Sequence, residues 1–321
     1  MKAAVHTRYG PPQVIRVIDV PKPTPQADEL LVRVRASTVN RTDCHTRAGT
    51  PFFAKVVTGL RKPKATVLGN EFAGEVEAIG SDVSSFDVGD RVFGYNEGPF
   101  GAHAEYMTIA EDRSIAMMPT NLSFEDTAPG TEGSHYALAM IRAAKVDRGH
   151  DVIVNGATGA IGSAAVQILV SLGANVTAVC GTESVALVEA QGADRVIDYR
   201  REDFTADGQT FDVVFDAVGK STFGQCKRLL RPSGIYFSSE MGPWAQNPIL
   251  ALVSPLSRGR KVMMPIPKHN QQMINYFKEL MESGQFRPVI DRRYSLDQIV
   301  EAHTYVETGQ KIGNVVITIG D

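Results

Sequence analysis

The first 120 residues alternate apolar and polar positions over short stretches. Residues 30–34 read LLVRV, and residues 72–79 and 91–93 have the same strand-like character. Glycine, proline and aspartate separate these stretches, at positions 21–25, 80–82 and 88–90. Many short strands divided by turn residues predict a barrel-like or sandwich fold for this part of the chain.

From about residue 123 the pattern changes to alternating helices and strands. Ser123 precedes two acidic residues and predicts a helix start, because acidic side chains are stabilised near the N-terminal end of a helix. Near-continuous apolar strands between helices are typical of a parallel sheet that is covered on both faces. The predicted strands are 151–155, 176–180, 195–198, 211–216, 234–239 and 261–264, and the predicted helices are 134–144, 161–172, 184–191 and 223–230.

Six such strands fit a doubly wound dinucleotide-binding fold. The tail then predicts a helix over 271–283, a strand over 288–290, a helix over 296–307 and a strand over 314–319. A β-rich tail after a complete doubly wound unit is expected to return to the first domain. The sequence therefore predicts an α/β protein with one domain formed by residues 1–122 and 285–321, and a second domain formed by residues 123–284.

A glycine-rich turn at residues 155–162, NGATGAIG, joins a predicted strand to a predicted helix. Gly156, Gly159 and Gly162 allow a tight turn, close approach of the backbone to a pyrophosphate, and close helix–strand packing. The helix N-terminus offers N–H groups and a partial positive charge to the anion. The alternative is a turn that binds nothing, but the surrounding strands and helices favour a dinucleotide site.

The end of the second strand of this unit bears on the choice of dinucleotide. An NAD site usually carries an acidic residue there to bind the ribose, and positions 180 and 181 carry none. Glu183 would repel a 2′-phosphate unless it points outward, whereas Arg200 and Arg201 are candidate cations at the next strand end. The sequence favours NADP(H) over NAD. The expected contacts here are Cys180, Gly181, Thr182 and Tyr199.

Composition narrows the range of partners. The 33 basic and 36 acidic residues give a net charge of −3, which argues against a broad nucleic-acid-binding surface. The three cysteines, Cys44, Cys180 and Cys226, are odd in number, far apart and never in a CxxC pair, which excludes in practice a disulfide framework and a four-cysteine zinc lobe. The start of the chain lacks an apolar leader, and no apolar stretch reaches the ~20 residues of a membrane-spanning helix. A cytoplasmic protein with neither a nucleic-acid nor a membrane partner is expected.

Short motifs along the whole chain carry a family resemblance. They are LGNEFAG at 68–74, FDVGDRV at 86–92, GAD at 192–194, VIDY at 196–199, DAVG at 216–219 and GNVV at 313–316. Together they resemble the medium-chain dehydrogenase/reductase superfamily, specifically its zinc-free quinone oxidoreductase-like branch. The resemblance implies a GroES-like catalytic domain beside a Rossmann domain, NADP(H) as the cofactor, and a homodimer.

The resemblance also implies the absence of a metal. Zinc-dependent relatives carry a ligand cysteine and a ligand histidine where this chain has Asn40 and Asn70, and neither amide is a normal zinc ligand. Without a Lewis acid, electron-poor hydride acceptors are favoured. A small hydrophobic quinone or α,β-unsaturated carbonyl is the expected substrate.

The implied catalytic residues are Asn40, His45, Arg47 and Tyr136. Asn40 donates a hydrogen bond to a developing oxyanion, or is only a turn residue. His45 donates a proton to the substrate, or is an ordinary histidine on a helix surface. Arg47 matches a family arginine, and Tyr136 stands where the family usually has a threonine at the nicotinamide. The implied cofactor contacts are Asn40, Gly156, Thr158, Gly159, Ala160, Ile161, Val218, Ser239 and Asn314.

Two alternatives stay open at this stage. The apolar stretch 242–264, which contains Trp244, suits either a substrate lid or a dimer surface. The chain could also be a nucleotide-binding redox sensor or partner-binding module without useful catalysis, or a zinc-dependent alcohol dehydrogenase.

Overall fold

The structure, a computed structural model, describes residues 1–52, 55–254 and 259–320. It divides into two compact units. Unit 1 comprises Met1–Glu132, His269–Gly284 and Pro288–Asp321, and unit 2 comprises Gly133–Lys268 and Gln285–Arg287. The divisions between the units fall at 132/133, 268/269, 284/285 and 287/288, and the sequence predicts domain boundaries at 122/123 and 284/285.

The strands and helices are as follows. The strands are β1 Lys2–Val5, β2 Arg16–Asp19, β3 Glu29–Val39, β4 Glu71–Ile79, β5 Arg91–Tyr95, β6 Tyr106–Ala110, β7 Ser114–Met117, β8 Asp151–Asn155, β9 Asn175–Cys180, β10 Arg195–Asp198, β11 Phe211–Asp216, β12 Leu230–Ser238, β13 Lys261–Met263, β14 Ile290–Ser295 and β15 Asn314–Thr318. The α-helices are α1 Arg41–Ala48, α2 Lys55–Thr58, α3 Phe124–Thr127, α4 Glu132–Ala144, α5 Ala160–Ser171, α6 Val185–Ala190, α7 Phe223–Cys226, α8 Gln246–Val253, α9 Gln271–Glu282 and α10 Ile299–Glu307.

Unit 1 is built around the eleven-residue strand β3. One edge of β3 pairs with β4, and the other pairs with β15 and β6, which gives a seven-stranded sheet in the order β14-β15-β3-β4-β5-β7 with β6 also on β3. Alternate residues of these strands, such as Val32, Phe72 and Ile317, form the buried core. Helix α9 packs against β7 in the same unit, which is why residues 269–284 belong here.

Unit 2 is a six-stranded parallel sheet in the order β10-β9-β8-β11-β12-β13. In chain order this is 3-2-1-4-5-6, the doubly wound dinucleotide-binding topology. Helices connect the strands, and interior residues such as Ile153 and Val214 are fully buried. Strand order reverses between β8 and β11, and the carboxyl ends of these strands are where such folds bind ligands. The tripeptide 285–287 joins this unit because the Gln167 side chain bonds both the N–H and the carbonyl of Arg287.

The elements differ from the predictions mainly at their ends. The predicted strand at 288–290 lies instead at Ile290–Ser295, since Ile290 is the first residue to pair with β15. The predicted helix 223–230 ends as an α-helix at Cys226, because Leu230 begins β12. Helix α1 was expected only as one alternative, in which His45 lies on a helix surface.

The apolar stretch 242–264 is only partly described. Its residues 255–258 lie outside the described residues. In the remainder, the Trp244 side chain is 98% exposed and helix α8 carries exposed Ile249 and Leu252. Across the described ranges, no helix combines the length and the apolar character needed to cross a bilayer.

Candidate active site

The glycine-rich turn of unit 2 follows β8 directly, at the point where strand order reverses. Gly156 has a φ of +80°, and a Cβ added there would lie 2.7 Å from Cβ of Val218. A Cβ added at Gly162 would lie 2.1 Å from the carbonyl oxygen of Gly156. The close approach of the surrounding atoms therefore requires glycine at both positions.

Gly159 differs from its two neighbours in the motif. Its φ of −72° suits any residue, and the nearest described atom to an added Cβ is the Gly156 oxygen at 3.8 Å. Gly159 is the N-cap of α5, and no side chain of the described residues caps this helix end. An open concavity below an uncapped helix N-terminus fits a bound anion. The residues of this turn therefore fit the pyrophosphate of a dinucleotide.

A buried carboxylate holds the opposite side of the turn. Asp216, at the end of β11, accepts hydrogen bonds from Asn155 Nδ2 at 3.0 Å, from the Gly219 N–H at 2.9 Å, and from the Ser221 N–H and hydroxyl at 2.9 and 2.8 Å. These bonds fix the loop that carries Val218. The N–H of Ser239, after β12, donates to the Asp216 carbonyl. Sequence reasoning noted the DAVG motif but gave Asp216 no role.

The ends of β9 and β10 carry a group of exposed charges. Arg200 forms an ion pair with Glu183 at 2.9 Å, and Arg201 contacts Asp198 at 3.3 Å. The Thr182 hydroxyl also donates to Asp198, at 2.6 Å, and this bond is the largest influence that lowers the pKa of Asp198. Glu183, which the sequence analysis treated as an obstacle to a phosphate, is therefore neutralised by a neighbouring arginine.

The remaining expected contacts at this edge differ in accessibility. Tyr199 is 57% exposed, and its hydroxyl would lie 3.2 Å from a Cβ added at Gly181. The Cys180 thiol is buried, and burial raises its pKa to about 11. Cys180 can therefore offer a ligand only its main chain. The expected contacts of unit 2 follow the carboxyl ends of β8, β9, β10, β11 and β12, which share one edge of the parallel sheet.

In unit 1, Asn40 is the N-cap of α1. Its Oδ1 accepts the N–H of Asp43 at 3.0 Å, and its own N–H donates to the Asp43 carboxylate at 3.1 Å, which completes a capping box. Asp43 also accepts the Gly69 N–H at 2.9 Å. Burial raises the pKa of Asp43 to about 7. Asp43 is thus an anchor for this segment.

A chain of side-chain amides starts from Asn40. Asn40 Nδ2 donates to Asn70 Oδ1 at 2.6 Å, and Asn70 Nδ2 donates to Glu132 Oε2 at 2.9 Å. Asn70 is fully buried, and Asn40 and Glu132 are 6% and 7% exposed. Within the described ranges, the second hydrogen of Asn40 Nδ2 has no protein acceptor. Both proposed roles of Asn40 are therefore compatible, because capping uses its oxygen and leaves one N–H for a ligand.

Glu71 lies behind this chain, fully buried. Its carboxylate accepts the Thr38 hydroxyl at 2.5 Å, the Thr131 N–H and hydroxyl at 3.0 and 2.8 Å, and the Glu132 N–H at 2.6 Å. Burial raises the pKa of both Glu71 and Glu132, and for Glu132 the neighbouring Glu71 carboxylate adds to the effect. Sequence reasoning missed Glu132, whose burial depends on residues far away in the chain.

The other implied catalytic residues of α1 point in different directions. His45 is exposed, whereas Arg47 is 1% exposed and forms an ion pair with Glu307 of α10 and a hydrogen bond to the Gly10 carbonyl at 3.2 Å. Residues two positions apart lie on opposite sides of a helix. The geometry does not support the implied catalytic role of Arg47, because its guanidinium is enclosed by the packing of unit 1.

Asn314 and Tyr136 are placed by local contacts. Asn314 begins β15, and its Nδ2 donates to the Val289 carbonyl at 3.0 Å, so that its side chain serves the fold of unit 1. This position does not support the implied contact with a cofactor phosphate. Tyr136, in α4, is half-buried and stacks on His135 at a ring-centroid distance of 4.2 Å.

A buried cysteine and histidine also meet in unit 1. Cys44 Sγ lies 3.4 Å from His303 Nδ1, but burial raises the thiol pKa of Cys44 and lowers the pKa of His303. A neutral thiol beside a neutral imidazole is not an activated nucleophile. His103 is nearby, bonded to the Thr38 carbonyl at 2.7 Å, with its pKa lowered to about 4 by burial.

Comparison with known proteins gives consistent matches. The sequence model of the alcohol dehydrogenase GroES-like domain family matches residues 26–120. The sequence model of the zinc-binding dehydrogenase family matches residues 191–317. A 2-methylene-furan-3-one reductase from Solanum lycopersicum is 30% identical over 99% of this chain and 79% of its own length. A quinone oxidoreductase from Pseudomonas aeruginosa is 30% identical over 96% of this chain and 97% of its own.

The same relationship appears in three dimensions. The structure of a quinone oxidoreductase from Coxiella burnetii aligns with a TM-score of 0.88 at 29% identity, over 100% of this chain and 99% of that one. These matches confirm the predicted GroES-like and Rossmann folds and a nicotinamide-dependent oxidoreductase. Identity at this level over nearly whole chains shows that the protein belongs to the medium-chain dehydrogenase/reductase superfamily, in its quinone oxidoreductase-like branch.

Proposed function

We propose that the protein transfers hydride from NADPH to quinones or α,β-unsaturated carbonyls without a zinc ion. The observation that carries the proposal is the 2.6 Å hydrogen bond between Asn40 and Asn70, the positions of two zinc ligands in zinc-dependent relatives. Each amide oxygen already accepts an N–H, from Asp43 and from Asn40 respectively. Such a donor set does not fit a zinc ion, which takes thiolate, imidazole or carboxylate ligands.

The chemistry follows from what each unit offers. A bound nicotinamide supplies the hydride, and the uncapped N-terminus of α5 and the Gly159 concavity bind the diphosphate that anchors it. The free N–H of Asn40 donates to the oxygen on which negative charge develops. Quinones and enones are already electron-poor, so hydrogen-bond donors suffice where a plain carbonyl would need a Lewis acid. The exposed His45 side chain is the proposed proton donor.

The preference for NADPH rests on the charges after β9 and β10. Arg200 and Arg201 are both exposed; of their acidic partners Glu183 is also exposed, whereas the Asp198 side chain is 11% exposed. A 2′-phosphate competes with Glu183 for Arg200 and adds a second negative charge to the contact. Tyr199 supplies an exposed hydroxyl at the same place. The similarity to a quinone oxidoreductase and to a 2-methylene-furan-3-one reductase supports the substrate class.

The test is an NADPH oxidation assay with the purified full chain. Phenanthrenequinone and a simple enone should accelerate NADPH loss, NADH should serve less well, and EDTA should leave the rate unchanged. Metal analysis should find well below one zinc per chain. No acceleration by any quinone or enone would refute the proposal, and tightly bound stoichiometric zinc would refute its metal-free part. Titration of NADPH fluorescence in parallel separates loss of binding from loss of turnover.

A further inference from the structure

We propose that Glu132 is a positioning residue: it holds Asn70 with its amide oxygen toward Asn40, and so keeps the Asn40 side-chain amide in the direction that leaves an N–H for the substrate. This inference rests on the proposed function, in which an N–H of Asn40 faces the substrate oxygen. An asparagine amide can turn over and exchange its oxygen for its nitrogen with little change in shape. Unless something fixes its direction, Asn40 can present either a donor or an acceptor to the substrate.

The direction is fixed at one end by the backbone. The Asp43 N–H can only donate, and it meets the Asn40 side chain at 3.0 Å, so that atom of Asn40 must be the oxygen. Asn40 Nδ2 then faces Asn70, and the atom of Asn70 at 2.6 Å must be an acceptor. The capping box therefore requires Asn70 to present its oxygen to Asn40, but it does not itself hold Asn70 in that direction.

The direction is fixed at the other end by Glu132. Asn70 directs its nitrogen toward Glu132 Oε2 at 2.9 Å, and more distantly toward the Tyr95 hydroxyl at 3.4 Å. A carboxylate oxygen accepts readily, so it stabilises Asn70 with Oδ1 toward Asn40. Without that acceptor, the buried Asn70 amide loses the bond that opposes its reversal. Reversal would place N–H against N–H between Asn70 and Asn40 and displace the Asn40 amide.

Glu132 is well suited to this role because it is itself held on three sides. Its N–H donates to Glu71 Oε1 at 2.6 Å, its Oε1 accepts the Thr42 hydroxyl at 2.6 Å, and its Oε2 accepts the Asn70 amide. The role requires an acceptor facing Asn70 and does not require a negative charge. Glutamine preserves that acceptor, since its amide nitrogen can donate to the Thr42 oxygen. Alanine removes it.

The experiment compares Glu132→Gln, Glu132→Ala, Asn70→Ala and the double alanine variant in the full chain. Three quantities are measured: the dissociation constant of NADPH by fluorescence, kcat with phenanthrenequinone, and the side-chain NH₂ resonances of Asn40 in the cofactor-free protein by NMR. The resonances are assigned by their loss in Asn40→Asp. A thermal melt of each variant confirms folding.

The expected result is a fall in kcat of ~10- to 100-fold for both single alanine variants, the range produced by misplacing a catalytic group by about an ångström. The Asn40 resonances should shift in the same variants, NADPH affinity should be unchanged, and the double variant should be no worse than either single one. Glu132→Gln should keep both the wild-type kcat and the wild-type resonances.

Two outcomes overturn the inference. One is wild-type kcat in folded Glu132→Ala and Asn70→Ala, with unshifted Asn40 resonances. The other is Glu132→Gln as impaired as Glu132→Ala, which would assign the role to the charge or proton of the carboxyl group. Failure of the proposed function has a different signature, because the wild type itself would then turn over no quinone or enone. The NMR comparison would still decide whether Glu132 orients Asn40.

Discussion

Gly159 and Gly162 stand three positions apart in one turn, yet replacement by alanine should have opposite consequences. Gly159→Ala adds a Cβ that lies no nearer than 3.8 Å to a described atom, in a backbone conformation that alanine adopts freely. Gly162→Ala adds a Cβ at 2.1 Å from the Gly156 carbonyl oxygen. We therefore expect the first variant to lose ligand affinity and the second to lose stability.

The magnitudes follow from these distances. At Gly162, alanine gains about 1 kcal/mol of helix propensity, but real Cβ contacts below 3.0 Å are essentially absent, so backbone must shift by roughly 1 Å. Such overpacking costs about 1–3 kcal/mol, and the cost should lie near the upper limit because the contacted atom belongs to the backbone and cannot move aside easily. After the gain in helix propensity is subtracted, the protein should lose about 1–2 kcal/mol of stability. At Gly159, the poorer N-cap and the reduced entropy of the unfolded chain nearly cancel, and stability should change by less than about 0.5 kcal/mol.

The assays are urea unfolding and titration of NADPH fluorescence on the wild type and both variants. Gly159→Ala should bind NADPH at least about tenfold more weakly, a loss of about 1.4 kcal/mol, because its methyl group occupies the space of the diphosphate. Wild-type affinity in this variant would refute the placement of the anion at the turn. Wild-type stability of Gly162→Ala would refute the close packing of α5 on the turn that follows β8.

Three further predictions concern charge and buried polar groups. The free energy of unfolding should rise by up to about 3 kcal/mol as pH goes from about 4 to 6.5, because His103 has a pKa of about 4 in the folded protein against an ordinary 6.5, and the unfolded chain therefore binds an extra proton in this range. Urea unfolding should show a weaker dependence of this free energy on pH in His103→Gln. An equal dependence in the variant and the wild type would contradict the assignment. Glu183→Gln should strengthen NADPH binding with little effect on NADH binding, because the substitution frees Arg200 from its ion pair. Fluorescence titrations with both cofactors that show no gain in affinity specific to NADPH would place the 2′-phosphate elsewhere. Asp216→Ala should destabilise the protein by about 2–4 kcal/mol, since it leaves several buried donors without their acceptor, and a change under about 1 kcal/mol in urea unfolding would argue against that network.

The sequence predicts unit 2 better than unit 1 for a physical reason. Strands buried on both faces are nearly continuous apolar runs, and the predictions for β8, β10 and β11 coincide with the structure. Unit 1 depends on pairing between distant segments, so the strand predicted at 288–290 was displaced: its position is set by β15. Ser123 shows that a local signal can be reliable in unit 1 as well, since its side chain caps α3 as the sequence predicts.

The candidate site divides in the same way. The glycine-rich turn was predictable because the positive φ of Gly156 and the contact of Gly162 with the Gly156 oxygen both lie within eight residues of sequence. Glu132 was not, because its contact with Asn70 spans 62 positions. Arg47 was assigned to catalysis because it matches an arginine of the family, but its environment is set by Glu307, 260 positions away. Motifs transfer local geometry well, whereas burial is decided by the tertiary fold.

The place of β15 in the unit 1 sheet has a consequence for how the chain folds. Strand β15 lies between β14 and β3, so the sheet that begins near residue 29 is completed by residues 314–318. Unit 2 consists almost entirely of one continuous segment, and its contacts close over much shorter loops. Loop closure over longer separations is slower. We therefore expect unit 2 to acquire its native structure during synthesis, before residues 314–318 have been made. At that stage the part of the β3 edge that pairs with β15 is still open.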